Sequence, residues 1–371
     1  MSTIYLENQY QISSETLAKI QDVESIPYIN EVEENVGDAL KFAWQWLRGD
    51  TVFEQATSGS TGLPKKISIH RDQMIASAQA TIQALSLTES DSSLLCLSAQ
   101  YIGGKVMVVR SLLAKMNLVI VRPTSNPLPY LSFLPKFTAL VPLQIQALLD
   151  EKEATALNQM KAIIIGGAPV STSQEEQIRQ ELTVSVYSTY GMTETVSHIA
   201  LKKLTLPDAQ NFYQVLGDTQ IALDERDCLK IKGKVTQDEW VITNDIVELL
   251  GERKFRWLGR YDSVINSGGV KVFPEEVEKV LEPIVLRENF TGRLLVSSLP
   301  DKKLGERIIL ILEGDPLSDD QKKKVLKEAH QQLSPYQVPK VIYYLPKFSE
   351  TPTGKVQRSQ TQQQLLQSLA S

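Results

Sequence analysis

The sequence has 371 residues, 42% of them hydrophobic and 22% charged, with a net charge of -5 at neutral pH. That is enough chain for roughly two or three domains with ordinary cores. The acidic balance excludes a nucleic-acid binder that works through an overall basic field, while a local basic site for an anionic cofactor stays open.

Residues 14–48 read as helical. "DALKFAWQWLRG" carries apolar residues at helical spacing, with Trp44 and Trp46 facing a core. From about residue 52 to 190, β-like runs alternate with helical ones. "KKISIH" reads as a strand before the helix "RDQMIASAQATIQAL". "SLLCLSA" and "NLVIVRP" read as strands flanking the helix "GGKVMVVRSLLAKM". "AIIIGG" and "VSVYSTYG" flank "STSQEEQIRQEL", a helix opened by a serine cap. This alternation predicts an α/β layered fold. Residues 205–258 read as short strands, a β-rich segment closing a large domain. After "GRYDS" comes a smaller α+β pattern. It has a helix with Pro274 in its first turn, strands in "RLLVSSLP" and "RIILILEG", and a helix with a Ser318/Gln321 capping box. A strand in "KVIYYLP" and a terminal helix complete it. The expected domains are 1–261 and 262–371.

The two cysteines, Cys96 and Cys228, form no CxxC and no cluster with the three histidines. Two reduced, buried thiols are expected rather than a disulfide framework or zinc site. No basic and apolar leader opens the chain, and no stretch approaches bilayer length. A cytoplasmic protein without integral membrane association is expected.

Five stretches carry chemistry. Thr57 to Lys65, "TSGSTGLPK", is nearly all hydroxyls and glycines. Such a run exposes many donors with little bulk, as a polyphosphate requires. It is not a Walker loop, because Pro64 replaces the last glycine and a strand follows. A linker is the plain alternative. In "STYGMTET", Tyr190 can stack on a base, Thr193 can donate to a phosphate and Glu194 is a hard oxygen ligand for magnesium. Asp245, at a strand end in "TND", can accept from two ribose hydroxyls or simply close a turn. Gly268 and Gly269 in "INSGGVKV" permit close approach of a backbone or ligand. Lys355 ends "TPTGK", where a surface lysine is the plain alternative.

Taken in order, these stretches resemble the adenylate-forming superfamily of acyl- and aryl-CoA synthetases, nonribosomal peptide adenylation domains and luciferase. The likeness runs from about residue 52 to 360. Thr57, Ser58, Gly59, Ser60, Thr61, Gly62 and Lys65 match its phosphate loop. Gly166, Gly167, Ala168 and Pro169 match the loop bordering the adenine and acyl pockets. Tyr190, Gly191, Met192, Thr193 and Glu194 match YGxTE, and Asp245 matches the ribose aspartate, although Asn244 replaces a usual glycine. Arg260 and Asp262 match the hinge, Lys355 the catalytic lysine, and "PDKKLGERI" a segment of the small domain. The resemblance implies a large adenylate-forming domain with a shortened N-terminus and a small mobile α+β domain. It implies ATP, magnesium and coenzyme A as cofactors and a small carboxylic acid as substrate. Thr193, Glu194 and Lys355 would be catalytic, with Glu194 on magnesium. Asp262 would be the hinge, and Gly268 and Gly269 would line the coenzyme A tunnel.

The acid is read from "LSAQYIGGKVMVVRSLLAKM". Tyr101 stands where the superfamily usually has histidine, and the compact form resembles o-succinylbenzoate–CoA ligases of menaquinone biosynthesis. Gly166, Tyr101, Lys105 and His198 are candidates for the acid pocket. Lys105 and Arg110 are candidates for a second carboxylate, or face solvent, or phosphate for Arg110. Other acyl- or aryl-CoA ligases, an acyl-AMP ligase serving a carrier protein and a noncatalytic homologue remain alternatives.

Overall fold

Short aliphatic runs without polar alternation set the centre of the fold. Phe137–Leu140 and Ala162–Ile165 are buried at every position, the pattern of strands covered on both faces. The computed structural model, which describes residues 2–56, 66–350 and 356–370, places them inside a thirteen-stranded sheet. Thr3–Leu6, Asn117–Ile120, Ser92–Leu95 and Ser185–Gly191 run parallel with them. Alternate side chains point to opposite faces. Ala162 and Ile164 pack with Leu118, Ile120 and Phe137 under helices Glu34–Arg48, Arg71–Ala84 and Ile102–Leu113. Ile163 and Ile165 pack with Val119 and Leu140 under Pro142–Asp150 and Thr172–Glu181. Past Ser185–Gly191 the sheet turns antiparallel through His198–Lys203, Tyr213–Val215, Lys254–Arg260, Val241–Leu249, Cys228–Lys232 and Gln220–Leu223. The α/β reading and its β-rich extension are both present. Both cysteines are buried and free.

Residues 14–48 differ from the expected continuous helix. Ser14–Lys19 stops at Ile20, a 3-10 turn covers Val23–Ser25, and Glu34–Arg48 follows. The break is held by tertiary contact: the Trp44 indole donates to the Ile20 carbonyl at 2.9 Å. Thr3–Leu6, Phe137–Leu140 and Pro142–Asp150 are elements that periodicity alone passed over.

A second sheet holds Ile265–Ser267, Val270–Val272, Leu294–Asp301, Gly305–Glu313 and Val341–Leu345. Helices Pro274–Arg287 and Asp319–Gln332 cover one face, and Arg358–Ala370 covers the other. Polar contacts of helix Pro274–Arg287 join it to the large sheet and to the turn that follows Lys254–Arg260. The Glu282 carboxylate accepts from Thr172 N at 2.9 Å and from Ser173 Oγ at 2.6 Å, at the positive end of helix Thr172–Glu181. Ser263 Oγ donates to Glu275 at 2.8 Å.

Behind that second contact, Glu275 and Glu278 share one guanidinium, Arg358. Burial pushes the Glu278 carboxyl from 4.5 up to about 7, against the pull of Arg358 and of the Val296 N–H. Between these values the folded chain keeps a proton that the unfolded chain releases. Stability is therefore expected to fall as pH rises through that window and to level off above it. Urea unfolding midpoints across the window check this, and Glu278→Gln should flatten the slope. An unchanged slope in the variant would remove Glu278 as its source.

Candidate functional site

The turn after Ser185–Gly191 has little room. A Cβ on Gly191 would lie 2.2 Å from the Ser197 carbonyl, and one on Gly166 would lie 2.3 Å from Thr189 Oγ1. Parallel pairing of Ile165 with Ser188 thus brings the Gly166–Pro169 loop beside the Tyr190–Glu194 turn. Gly167 has φ +83, which exposes backbone without a side chain in the way. Gly167, Ala168, Pro169 and Glu194 are exposed, and Thr193 is half-buried.

Tyr190 and Asp245 meet across this edge. The Tyr190 hydroxyl donates to Asp245 Oδ2 at 2.7 Å, and the Trp257 indole donates to Oδ1 at 3.1 Å. Burial, and then the Asp245 charge, push the phenol well above its ordinary range, so it stays a donor. Antiparallel register sets Asp245 opposite Arg260, whose guanidinium is 3.8 Å from Oδ1 and grips both Asp262 oxygens at 3.1 and 3.2 Å. One chain of contacts therefore runs from Tyr190 through Asp245 and Arg260 to Asp262. Asn244, the departure from the usual glycine, is held by Arg226, which also bonds Thr243 O and stacks on Tyr261.

A third group is wholly internal. Arg110 is 1% exposed. Its guanidinium donates to Ser197 Oγ at 3.1 Å and approaches His198 Nδ1 at 3.4 Å. His198 Nε2 lies 2.9 Å from Thr81 Oγ1. Among the described residues Arg110 has no carboxylate partner, and its buried Nε has no hydrogen bond. Uncompensated burial pushes it down to about 9, which leaves a cation at neutral pH. The same burial, and then Arg110, push the His198 imidazolium well below its ordinary range. The solvent-facing alternative for Arg110 is thereby excluded. Lys105 is half-buried and committed elsewhere: it donates to Glu54 O at 2.9 Å and Gln55 Oε1 at 3.0 Å. Tyr101 is 51% exposed at the start of the same helix.

Gly268 and Gly269 lie on the small sheet. Together with Asn266 and residues 303–306 of the "PDKKLGERI" segment they line an open cleft of about 580 Å³. Gly268 has φ +61, and a Cβ there would meet the Tyr336 ring at 2.6 Å. Gly268→Ala is expected to lower stability by about 1–3 kcal/mol, from left-handed backbone plus overlap. An unshifted thermal midpoint would show that the turn relaxes freely.

Thr57, Ser58, Gly59, Ser60, Thr61, Gly62, Lys65 and Lys355 lie outside the described residues. The flanking pair Ala56 and Lys66 face each other at the end of the hairpin Val52–Ala56 and Lys66–His70. Glu194 makes no ion pair among the described residues, where no group of three or more His, Cys, Asp or Glu could hold a metal. A lone carboxylate suits magnesium carried in on phosphate oxygens.

Comparison with known proteins follows the same geometry. The family described as "AMP-binding enzyme" matches residues 11–226. The chain belongs to the AMP-binding enzyme family. This AMP-binding enzyme is 29% identical over 279 residues to the 2-succinylbenzoate–CoA ligase of Escherichia coli (strain K12), covering 71% of this chain and 59% of that relative. It thus spans less than two thirds of that protein's length. Among solved structures it is 38% identical, with a TM-score of 0.60, to the acyl-CoA synthetase (AMP-forming)/AMP-acid ligase II-like protein from Dyadobacter fermentans DSM 18053. That match covers 95% of this chain and 99% of the other. The o-succinylbenzoate coenzyme A synthetase from Bacillus subtilis, in complex with ATP and magnesium ion, is 23% identical with a TM-score of 0.69. It covers 83% of this chain and 69% of that one, and shows the shared fold. Among the described residues of this AMP-binding enzyme no helix is long and apolar enough to cross a membrane.

Sequence reasoning missed Trp257, Arg226 and Thr81. Trp257 could have been found from "KFRWLGR", because antiparallel register puts Arg260 and Trp257 on the strand facing Asp245 and Val247. Thr81 carried no signal.

Proposed function

We propose that this AMP-binding enzyme is an ATP-dependent acid–CoA ligase whose acid is o-succinylbenzoate. The observation that carries the acid is Arg110. A buried guanidinium without a carboxylate partner is costly, and a second carboxylate on the substrate is the natural counter-ion. The 2-succinylbenzoate–CoA ligase relatives support the same acid.

In this reading an acid carboxylate attacks the α-phosphate of ATP, giving an acyl-adenylate and diphosphate, and the coenzyme A thiol then displaces AMP. Residues 57–65 hold the β- and γ-phosphates, Thr193 contacts the α-phosphate and Asp245 accepts from the ribose hydroxyls. Glu194 holds magnesium, which neutralises phosphate charge. Lys355 bridges the carboxylate and α-phosphate oxygens. The small sheet turns about Asp262 between the two steps, and Gly268 and Gly269 then line the path of the thiol. Both reactants are anions, so catalysis rests on aligning them and on cations placed where charge develops. ATP and coenzyme A as co-substrates support a cytoplasmic location.

Diphosphate release with a panel of acids tests this. o-Succinylbenzoate should exceed benzoate and straight-chain acids, and Arg110→Met should abolish its advantage. A monocarboxylic acid that wins clearly would assign another acyl- or aryl-CoA ligase. Turnover with a carrier-protein thiol in place of coenzyme A would assign an acyl-AMP ligase. Absence of ATP–diphosphate exchange with every acid would leave a noncatalytic homologue.

A further inference from the structure

The Arg110 group has a definite hydrogen-bond polarity. Arginine only donates, so the His198 Nδ1 that faces it at 3.4 Å must carry the lone pair. The proton of the neutral ring then sits on Nε2. That N–H points at Thr81 Oγ1, 2.9 Å away, which accepts. The Thr81 hydroxyl has one proton left, and the Ser77 carbonyl at 3.2 Å receives it. Each donor in the run from Arg110 to Ser77 O has one acceptor, and the opposite tautomer would set N–H against N–H.

The backbone supports this arrangement. Val196 is buried and has φ +66, a conformation that a β-branched residue rarely adopts. The Ser197 N–H closes a tight turn on Thr195 O at 2.7 Å, which presents Ser197 and His198 side by side to Arg110. Strain of this kind persists where surrounding contacts over-determine it, often at functional sites. Among the described residues, Arg110 Nε and Ser77 Oγ are buried here without a hydrogen-bond partner.

We propose that Thr81 is a positioning residue for acid selection. Its hydroxyl accepts the Nε2–H of His198 and so fixes the ring whose tautomer Arg110 sets, His198 and Ser197 hold one end of the guanidinium, and the Nε–H of Arg110 is left for the second carboxylate. The carboxylate half of this statement rests on the dianionic acid proposed above; the half that concerns the His198 ring does not.

The chain has three histidines, so ¹⁵N-imidazole spectra of labelled protein can be assigned with His70 and His330 variants. His198 should show a protonated Nε2 and an unprotonated Nδ1, unchanged in Thr81→Ser. In Thr81→Val, of similar shape but without the hydroxyl, Arg110 should keep the tautomer while the Nε2 proton, its acceptor gone, moves upfield. The ratio of kcat/KM for o-succinylbenzoate to that for benzoate should fall about tenfold in Thr81→Val, one good hydrogen bond's worth, with the KM for ATP unmoved. Thr81→Ser should restore it. A Thr81→Val protein that folds and keeps both the Nε2 proton shift and the ratio would overturn the proposal. Absence of activity with any acid in the unaltered protein would overturn the ligase reading alone, and the spectra would still decide the role of Thr81.

Discussion

Lys355→Ala is expected to lower acyl-adenylate formation by about 10²–10³-fold, the typical effect of removing one group that stabilises transition-state charge. It should leave thioester formation from supplied acyl-adenylate nearly unchanged. The asymmetry follows from the charges. In the first half-reaction a carboxylate approaches a triphosphate, and a cation that touches both oxygens lowers that barrier directly. In the second, a thiolate displaces AMP from a neutral acyl carbon, and the mixed anhydride is already built. An ammonium on a flexible stem suits the first task, since it is a compact charge that can bridge two oxygens. Lys355 precedes Arg358 by three residues. Arg358 opens the last helix and is tied to Glu278, Glu275 and the Val296 carbonyl. The chain that follows Lys355 is therefore anchored to the small sheet at Arg358. ATP–diphosphate exchange reads the first step, and single turnover of synthetic acyl-adenylate with coenzyme A reads the second. Equal losses in both would end the assignment.

The motifs were legible because each is a run of unusual residue types, and such runs survive without knowledge of what lies opposite them. Glycine at 191 and 166 is a case: the sequence shows the residue, and the structure shows the carbonyl and hydroxyl that leave no room for a Cβ. The alternation from "SLLCLSA" to "AIIIGG" was legible because buried parallel strands are plain aliphatic runs. Thr3–Leu6 was not, because its partner Asn117–Ile120 lies far along the chain and four residues carry no period. The break between Ser14–Lys19 and Glu34–Arg48 was missed for a related reason. It depends on a tryptophan reaching back to Ile20, which no local propensity encodes. Arg110 lies between these cases. "KVMVVRSLL" has apolar residues on every side, so an arginine within it has no polar face to occupy, and burial was there to be inferred. What could not be inferred is that its nearest partners are a serine and a histidine 87 and 88 positions away rather than a carboxylate.

Asp245→Asn is expected to raise the KM for ATP about 10- to 100-fold while moving the unfolding midpoint little. Asp245→Ala is expected to do both kinds of damage. The separation comes from counting donors. Tyr190 O–H and Trp257 N–H each donate to a different oxygen of Asp245. The indole can only donate, whereas the phenol can rotate and accept. An asparagine set with its oxygen toward Trp257 and its amide toward Tyr190 satisfies both neighbours, so the fold keeps its contacts. It has one carbonyl left for the two ribose hydroxyls and no charge. Loss of a hydrogen bond to a charged group costs about 1.5–3 kcal/mol, which sets the size of the KM change. Arg260 also loses a counter-charge at 3.8 Å and is left with Asp262. Alanine instead leaves the indole and the phenol unpaired in a buried place, at about 1–3 kcal/mol each. Thermal melting and the ATP dependence of exchange, measured on both variants, resolve the two roles. If Asp245→Asn binds ATP as the unaltered protein does, Asp245 is a structural acceptor for Tyr190 and Trp257, and the ribose contact must be sought elsewhere along the edge.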